Sequence, residues 1–244
     1  MDSRCRVIPD VPPLAVAAQI ALDLHLLRAV GTAALPPLAR IWDCTDEAVV
    51  IGVAQKAAEV VCLDACRSDG VQVLQRFSGG GTILICRGCV CWSVIVPLDG
   101  AVKPRDVQGA YRHVLAPVMA GLAKRGLRVT FEPPSDLALD GRKIAGTAQA
   151  QKHGAVLVHG SILVEMDLDR IARYLPEPRE APDYRAGRSH HAFLHNLGAN
   201  GLDCAAVAAL LRAAWTPGGE TVAVPPWHYD LAVPLTLHAT GRSQ

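Results

Sequence analysis

Residues 140–161 read DGRKIAGTAQAQKHGAVLVHGS, and the rest of the chain can be interpreted outward from this stretch. The pair Asp140-Gly141 stands between two strand-like runs, so it predicts a tight hairpin. From residue 155 to residue 165 the side chains alternate with period two, which is typical of a strand. One face of this strand carries Val156, Val158, Gly160, Ile162 and Val164, and the other carries Leu157, His159, Ser161, Leu163 and Glu165.

The second of these faces is the first candidate for a functional site. It places His159 and Ser161 side by side, and Lys143 comes two residues after the hairpin turn. A lysine together with a His/Ser pair suits an anionic or acyl substrate. The alternative is an ordinary half-buried strand with a surface lysine, and this stretch alone leaves both interpretations open.

Composition narrows the class of protein. The 244 residues are 50% hydrophobic and 19% charged, which favours one globular domain with a sizeable core. A net charge of +1 argues against broad nucleic-acid binding. The sequence shows neither a membrane-spanning apolar run nor a signal peptide, and its eight cysteines then favour reduced thiols in the cytoplasm.

Helices and strands follow one another without regular alternation. This order predicts an α/β or α+β domain built on a sheet. Helices are expected at residues 14–30, 63–69, 104–125, 167–175 and 202–215. Strands are expected as a pair within 39–53, at 71–77, 82–86, 90–97, 127–131 and 137–139, and in the hairpin. Residues 1–200 are predicted to form the main domain, and residues 201–244 a short C-terminal helix and β segment rather than a second full domain.

A second stretch, QRFSGGGT at residues 75–82, interrupts two strands with three glycines. Glycine in a strand context often marks a close approach of the backbone to a ligand, and exposed N–H groups there can hold a phosphate or carboxylate. Arg76 and Ser78 are expected on one face, which would put a guanidinium beside that cradle. No Gly-Lys-Ser/Thr follows, so this is not a P-loop. A flexible turn is the alternative interpretation.

Taken together, these motifs resemble the lipoate–protein ligase A family. The resemblance rests on RFSGGGT at residues 76–82, SDLALDGRKIAG at residues 135–146 and His159-Gly160-Ser161, in this order. Weaker matches lie in the first helix at residues 21–27, at residues 63–70, at Arg188-Ser189 and at Asn196-Leu197. The looser superfamily also holds octanoyl- and lipoyltransferases and biotin–protein ligases. The resemblance implies a central mixed β-sheet flanked by helices, as in class II tRNA synthetase and biotin ligase catalytic domains.

The resemblance also implies a reaction. ATP converts lipoate, or its precursor octanoate, into an acyl-adenylate, and a lysine of an acceptor protein then takes the acyl group. Lys143 is the implied catalytic residue, set against the α-phosphate and the acyl carbonyl. The implied binding residues are Arg76, Ser78, Gly79, Gly80, Gly81, Thr82, Ile83, Leu84, Asp136, His159, Ser161 and Arg188. Mg²⁺ is expected with ATP, although its protein ligands are unknown, and an apolar slot lined by Leu74 and Leu157 is expected for the acyl chain.

Three alternatives remain at this stage: the ATP-dependent ligase, an ATP-independent octanoyl or lipoyl transferase, and a non-catalytic acyl- or carrier-binding protein. Cysteine-dependent transferases of this superfamily carry their cysteine where Thr130 stands, which favours the ligase. Cys86, Cys89 and Cys91 form C-x-x-C-x-C, but buried inert thiols are the better interpretation than a metal site. A separate accessory protein would replace a missing accessory domain, or that function is dispensed with.

The last expectation concerns residues 176–200, which are rich in Pro, Arg, His and Gly. They are predicted to form a long loop that closes over the bound adenylate, with Arg185 and Arg188 as contacts to the ligand or acceptor.

Overall fold

The structure is a computed structural model that describes residues 5–8, 14–43, 45–99, 101–178 and 180–223. Its main element is a seven-stranded sheet, with the strand order β1-β2-β6-β10-β9-β8-β7. These strands are β1 (Arg6–Val7), β2 (Leu38–Trp42), β6 (Cys89–Pro97), β7 (Val129–Glu132), β8 (Asp136–Leu139), β9 (Arg142–Lys152) and β10 (Ala155–Leu163). Only the β1–β2 pair is parallel among its neighbours, so the sheet is mixed.

A second, three-stranded sheet has the order β4-β3-β5. It consists of β3 (Ala48–Ile51), β4 (Gln72–Gln75) and β5 (Ile83–Ile85). The two strands predicted within residues 39–53 are divided between the two sheets, and so are the strands predicted at residues 82–86 and 90–97. Their turn signals are real, but each turn carries the chain from one sheet to the other.

Helices cover both faces of the large sheet. The helices are α1 (Val16–Gly31), α2 (Ala57–Val60), α3 (Leu63–Asp69), α4 (Val107–Ala123), α5 (Leu168–Tyr174), α6 (His190–Phe193) and α7 (Cys204–Trp215). Helices α4 and α7 pack together on one face, where Trp92 of β6 meets Trp215 with ring centroids 4.9 Å apart. Helix α1 lies on the opposite face, against β6 and β10. The predicted central mixed sheet flanked by helices is therefore confirmed.

Strand β10 shows why its sequence alternates. Val156 and Val158 belong to the core under α4 and α7, whereas Leu157 belongs to the core under α1. Helices cover both faces, so the strand is buried on both sides and not on one, as the simplest interpretation of alternation suggested. The hairpin at Asp140 and Gly141 is confirmed, with φ angles of 50° and 71° that match a primed turn.

Residues 176–200 contain more regular structure than the sequence indicated. They include α6 and two 3₁₀ turns, at Asp183–Arg185 and Leu197–Asn200. The β segment predicted at residues 221–237 falls largely outside the described residues; of it, Thr221 forms a bridge with Val7. None of the helices in the described ranges is both long enough and apolar enough to span a membrane.

Candidate active site

Two rows of residues that run across the strands on one face of the large sheet contain most of the predicted site residues that this sheet carries. Directly paired residues of antiparallel strands project to the same side, so the register defines each row. The first row consists of Arg40, Ser93, His159 and Ala148. The second row consists of Trp42, Cys91, Ser161, Gly146 and Asp136. Both rows lie on the face that carries α1, and the prediction that His159 and Ser161 share this face is confirmed.

A continuous chain of hydrogen bonds runs along the first row to the glycine stretch. Asp23 of α1 pairs with Arg40 Nη2 at 2.7 Å and lies 3.0 Å from His159 Nδ1. On the other side of the imidazole, Nε2 lies 2.7 Å from Ser78 Oγ, which accepts from Arg76 Nε at 3.0 Å. All five side chains are buried. A buried polar network of this kind is stable only when its members are paired, and these are.

This chain of hydrogen bonds contains more positive than negative charge. The guanidinium groups of Arg40 and Arg76 form its two ends, and Asp23 supplies its single carboxylate. Burial would raise the pKa of Asp23, but the Arg40 guanidinium and hydrogen bonds from His159 and Ser93 hold it below its ordinary value. Burial lowers the pKa of Arg76 to about 10, which leaves the guanidinium charged at neutral pH.

Arg76 shapes the glycine loop, defined here as residues 78–82. Its Nη2 donates to the carbonyl oxygens of Gly79 at 2.6 Å and Gly81 at 2.7 Å, so these carbonyls are turned inward. Within the described residues, the N–H groups of Gly80 and Gly81 have no backbone acceptor outside the sheets and helices. The guanidinium thus lies beneath the loop and not on its outer surface, which is a different position from the direct ligand contact that the sequence suggested.

Lys143 lies at the end of the second row. Its ammonium is 2.7 Å from Asp136 Oδ1, and a Cβ at Gly146 would lie only 3.2 Å from Nζ, so the missing side chain of Gly146 leaves room for the lysine. Tyr184 donates its hydroxyl to the other oxygen of Asp136 at 2.9 Å. Burial, together with the Asp136 carboxylate, raises the pKa of Tyr184, so the phenol remains a donor. Asp136, one of the implied binding residues, thus lies directly beside Lys143.

The segment at residues 176–200 is already folded onto this end of the site. Arg188 Nη2 donates to the carbonyl oxygens of Gly141 at 2.8 Å and Tyr184 at 2.6 Å, which ties the segment to the hairpin. Arg185 is buried and pairs with a glutamate of the same segment, so its charge points inward. Neither arginine is presented to solvent as the free ligand contact expected from the sequence.

The remaining predicted residues have mixed surroundings. Ser161 is buried, and its hydroxyl has no hydrogen-bond partner among the described residues. Thr82 donates to Gln55 Oε1 at 3.1 Å. Ile83 and Leu84 lie on β5, with the Leu84 side chain in the core of the small sheet.

The expected acyl slot is wrong as proposed. Leu74 fills the core around the small sheet, whereas Leu157 fills the core under α1, so the two side chains belong to different clusters. The apolar end of the second row is formed instead by Trp42 and Cys91. The indole Nε1 of Trp42 is buried without a hydrogen-bond partner in the described part of the chain.

The cysteines of the C-x-x-C-x-C motif lie in the core and are not exposed to solvent. Cys86, Cys89 and Cys91 are buried, which confirms the prediction for this motif. A hydrogen bond from Cys91 lowers the pKa of Cys89, although burial opposes it. Thr130 is exposed on the edge strand β7, and its hydroxyl donates to Glu132 Oε1 at 2.9 Å.

The described residues contain no group of three or more His, Cys, Asp or Glu side chains that could hold a metal ion. Asp136 is the carboxylate nearest Lys143, and it is engaged by that lysine and by Tyr184. Mg²⁺ held mainly by nucleotide phosphates needs only one or two protein carboxylates, so the ion expected with ATP would arrive as part of the nucleotide complex.

The sequence interpretation missed four members of this site as functional candidates. Asp23 and Arg40 were not singled out, although each is a charge within an otherwise apolar stretch, which is the signal that could have found them. Tyr184 and Trp42 carried no comparable signal, because an aromatic residue in a loop or strand is ordinary.

Comparison with known proteins identifies the family. A sequence model described as the lipoyl protein ligase A/B catalytic domain matches residues 15–215. The chain belongs to this family.

Individual relatives fall into two groups. The chain is 29% identical over 175 residues to octanoyltransferase LipM of Macrococcus caseolyticus, covering 62% of this chain and 63% of the relative. It is 32% identical over 127 residues to a probable lipoate–protein ligase A of Mycoplasma pneumoniae, covering 52% of this chain and 36% of the relative. The alignments thus span less than two thirds of the length of either relative. A bipartite lipoate protein ligase from Thermoplasma acidophilum shares the fold, with a TM-score of 0.78 at 24% identity over 93% of this chain and 90% of that one.

Proposed function

We propose that this protein activates lipoate or octanoate with ATP and transfers the acyl group from the resulting acyl-adenylate to a lysine of an acceptor protein. One observation carries the proposal. The Lys143 ammonium stands at the end of a row of side chains on the same sheet face as a glycine loop whose carbonyls are turned inward. A fixed cation, and loop N–H groups whose backbone acceptors are missing from the turns and loops of the described residues, suit a developing phosphoryl or acyl anion.

The chemistry requires little more than positioning and charge neutralisation. A free carboxylate does not acylate an amine, because it is anionic and its leaving group is poor. The Lys143 ammonium would neutralise the α-phosphate and polarise the acyl carbonyl, and the N–H groups of Gly80 and Gly81 would donate to the same oxygens. Asp136 and Tyr184 would hold the lysine in place, and Asp136 would also face the incoming amine.

The other predicted site residues would bind the acyl-adenylate or hold the residues that bind it. Ser161 offers its unpaired hydroxyl to the acyl carbonyl or the adenylate, and Thr82, Ile83 and Leu84 contribute backbone along the acyl-adenylate. Arg188 acts through the hairpin that it ties down. The apolar acyl chain would extend along the second row toward Trp42 and Cys91, where the strands carry apolar side chains.

Acyl transfer without ATP is the second candidate. It is favoured by the relative named octanoyltransferase, which is 29% identical. A thioester route needs an accessible thiolate, preferably with a lowered pKa. The three cysteines nearest the glycine loop in sequence are buried, and the position expected for a catalytic cysteine holds Thr130. These two observations lead us to prefer the adenylate route.

The partner in either route is a protein that presents a lysine, and we propose a lipoyl domain. The archaeal neighbour was studied together with its E2 lipoyl domain, which is the kind of acceptor expected here. A separate accessory protein and a cytoplasmic location remain parts of the proposal.

The test is intact-mass analysis of a purified lipoyl domain after incubation with this protein. One arm supplies lipoate and ATP, and the other supplies an octanoyl carrier protein and no ATP. A mass increase of one lipoyl group only in the first arm, with pyrophosphate released in step, supports the ligase. Modification in the ATP-free arm that disappears in a single Cys86→Ser, Cys89→Ser or Cys91→Ser variant would replace the ligase with the transferase.

A further inference from the structure

The hydrogen bonds of the first row have a fixed direction. Arg76 Nε can only donate, and the Asp23 carboxylate can only accept, so the groups between them must pass hydrogen bonds one way. For a neutral imidazole this direction puts the proton of His159 on Nδ1, toward Asp23, and leaves Nε2 to accept the hydroxyl of Ser78. Ser78 is left with a lone pair for Arg76. A neutral imidazole also suits the charge balance, because two buried guanidiniums already face one carboxylate.

We propose that Asp23 is a positioning residue for acyl attachment, which fixes the tautomer of His159 and through Ser78 and Arg76 keeps the carbonyls of the glycine loop turned inward. The effect on the reaction rests on the proposed function. The effect on the loop does not, because it follows from the contacts alone. Asp23 is fully buried on α1, so it acts on substrate only through this chain.

Replacing Asp23 by asparagine reverses the direction of the hydrogen bonds between residue 23, His159 and Ser78. Oδ1 accepts from both Nε and Nη2 of Arg40, at 2.9 Å and 2.7 Å, so the amide oxygen of an asparagine must stay there. The amide NH₂ then takes the place of Oδ2, 3.0 Å from His159 Nδ1. It can only donate, so the imidazole proton must move to Nε2.

The reversed chain changes the glycine loop. A proton on Nε2 of His159 would donate to Ser78 Oγ, which already accepts from Arg76 Nε. The hydroxyl proton of Ser78 must then find another acceptor, and the carbonyls of Gly79 and Gly81, which bond to the same guanidinium as Ser78, are candidates. Competition there loosens the inward orientation of the Gly79 and Gly81 carbonyls.

The experiment compares Asp23→Asn with Ser93→Ala. Ser93 donates to the same carboxylate, to Oδ2 at 2.9 Å, but has no bond to His159, so its loss removes a hydrogen bond of Asp23 without reversing the chain. Nitrogen-15 NMR of histidine-labelled protein reports the tautomer of His159, whose signal is assigned with a His159→Gln variant. We expect Nδ1–H in the wild type and in Ser93→Ala, and Nε2–H in Asp23→Asn, with the backbone N–H signals of Gly79 to Gly81 shifted only in the latter.

Kinetics supplies the functional half of the test, with whichever acyl donor the wild type uses. Asp23→Asn should lower kcat by about 100-fold with little change in KM for the acceptor, because the loop is misplaced by a fraction of an ångström and the acceptor surface is untouched. Ser93→Ala should lower kcat much less than Asp23→Asn does, because it removes one hydrogen bond of Asp23 and leaves the direction of the others unchanged. Ser78→Ala breaks the chain further along, so the double variant Asp23→Asn/Ser78→Ala should be no slower than Ser78→Ala alone.

Several results would overturn the proposal. They are an unchanged tautomer in Asp23→Asn, a tautomer change without any shift of the loop signals, and additive losses in the double variant. An acyl group found on Ser78 by peptide mapping would replace positioning with a covalent role. If no acylation occurs with either donor, the proposed function fails, whereas the tautomer and loop signals still decide the role of Asp23. If Asp23→Asn does not fold, Ser78→Ala with the same loop signals tests the link between the chain and the loop.

Discussion

At the scale of single residues, Lys143 is the group on which the proposed reaction depends most. Lys143→Ala should lower the rate of acyl attachment by more than 100-fold, since a lost cation at a developing anion costs about 3 kcal/mol. The melting temperature should change little, because the lysine side chain is 25% exposed and Tyr184 still bonds to Asp136. Intact-mass assays of the acceptor provide the rate.

Lys152→Ala is the matched control for this variant. It removes the same chemical group from the other end of β9, where the side chain is exposed. Its activity should remain close to that of the wild type. Equal losses in both variants would mean that the lysines act only through overall charge.

Substitutions in the glycine loop can distinguish two reasons for its glycines, which are close approach of a ligand and the strain that a side chain would cause in the backbone. Gly80 has a φ of 85°, and a Cβ there would lie 2.9 Å from Arg76 Nη2, so a side chain at this position is strained with or without ligand. Gly81 is different, because a Cβ there would meet nothing within 4 Å. Gly81→Val should therefore keep the melting temperature within about 2 °C yet weaken binding of a lipoyl-adenylate mimic at least tenfold, as calorimetry would measure. Unchanged affinity in a folded Gly81→Val protein would mean that the glycines serve only the turn.

The residues that the sequence predicted well are those whose signal is local. Lys143 follows a turn of two residues, and His159 and Ser161 follow from the period of one strand. The partners of these residues could not be predicted in the same way. Asp23 and His159 are 136 residues apart, and Asp23 and Ser93 are 70 apart, so only the sheet register and the position of α1 bring them together. Tyr184 reaches Asp136 across 48 residues through a segment whose own pattern predicted a loop.

At the scale of secondary-structure elements, the boundaries were predictable and the pairing was not. Helix α3 occupies residues 63–69, as its glycine stop indicated. Strands β2 and β3 lie on either side of the turn that the sequence indicated, yet they belong to different sheets. A turn signal indicates where a strand ends and not which strand it pairs with.

The segment at residues 176–200 provides a prediction at this scale. Arg188 ties it to the hairpin through the carbonyls of Gly141 and Tyr184. Arg188→Ala should free the segment, so that limited proteolysis within it becomes at least several-fold faster while cleavage elsewhere is unchanged. Cleavage of the wild type should slow when lipoate and ATP are both present, if the segment also covers the ligand. Equal cutting of the wild type and Arg188→Ala would show that the tie does not hold the segment.

At the scale of the whole molecule, helix α7 is part of the main core. Trp215 of α7 donates to the carbonyl of Val114 at 2.8 Å and packs on Trp92. Trp215→Ala should lower the free energy of unfolding by about 3–5 kcal/mol, as chemical denaturation would measure. Val107→Ala, at an exposed position of α4, is the control and should change it by less than about 0.5 kcal/mol.

The sequence predicted a domain boundary at residue 200, and the packing of α7 makes that boundary testable. A chain cut after that residue loses α7 and exposes the apolar surface of α4, so it should fail to give a cooperative unfolding transition. A chain cut after residue 223 should retain one. A cooperative transition in the shorter chain would support residues 1–200 as an independent domain.

The glycine loop is also the seam between the two sheets. Its flanking strands β4 and β5 belong to the small sheet, whereas the loop itself rests on β9 of the large one, where Gly79 donates to the carbonyl of Gln149. A ligand held by the loop and by Lys143 would therefore contact both sheets at once. Moving the two sheets apart would then require breaking the contacts with the ligand as well, so the occupied protein should resist mechanical unfolding at this junction better than the empty one.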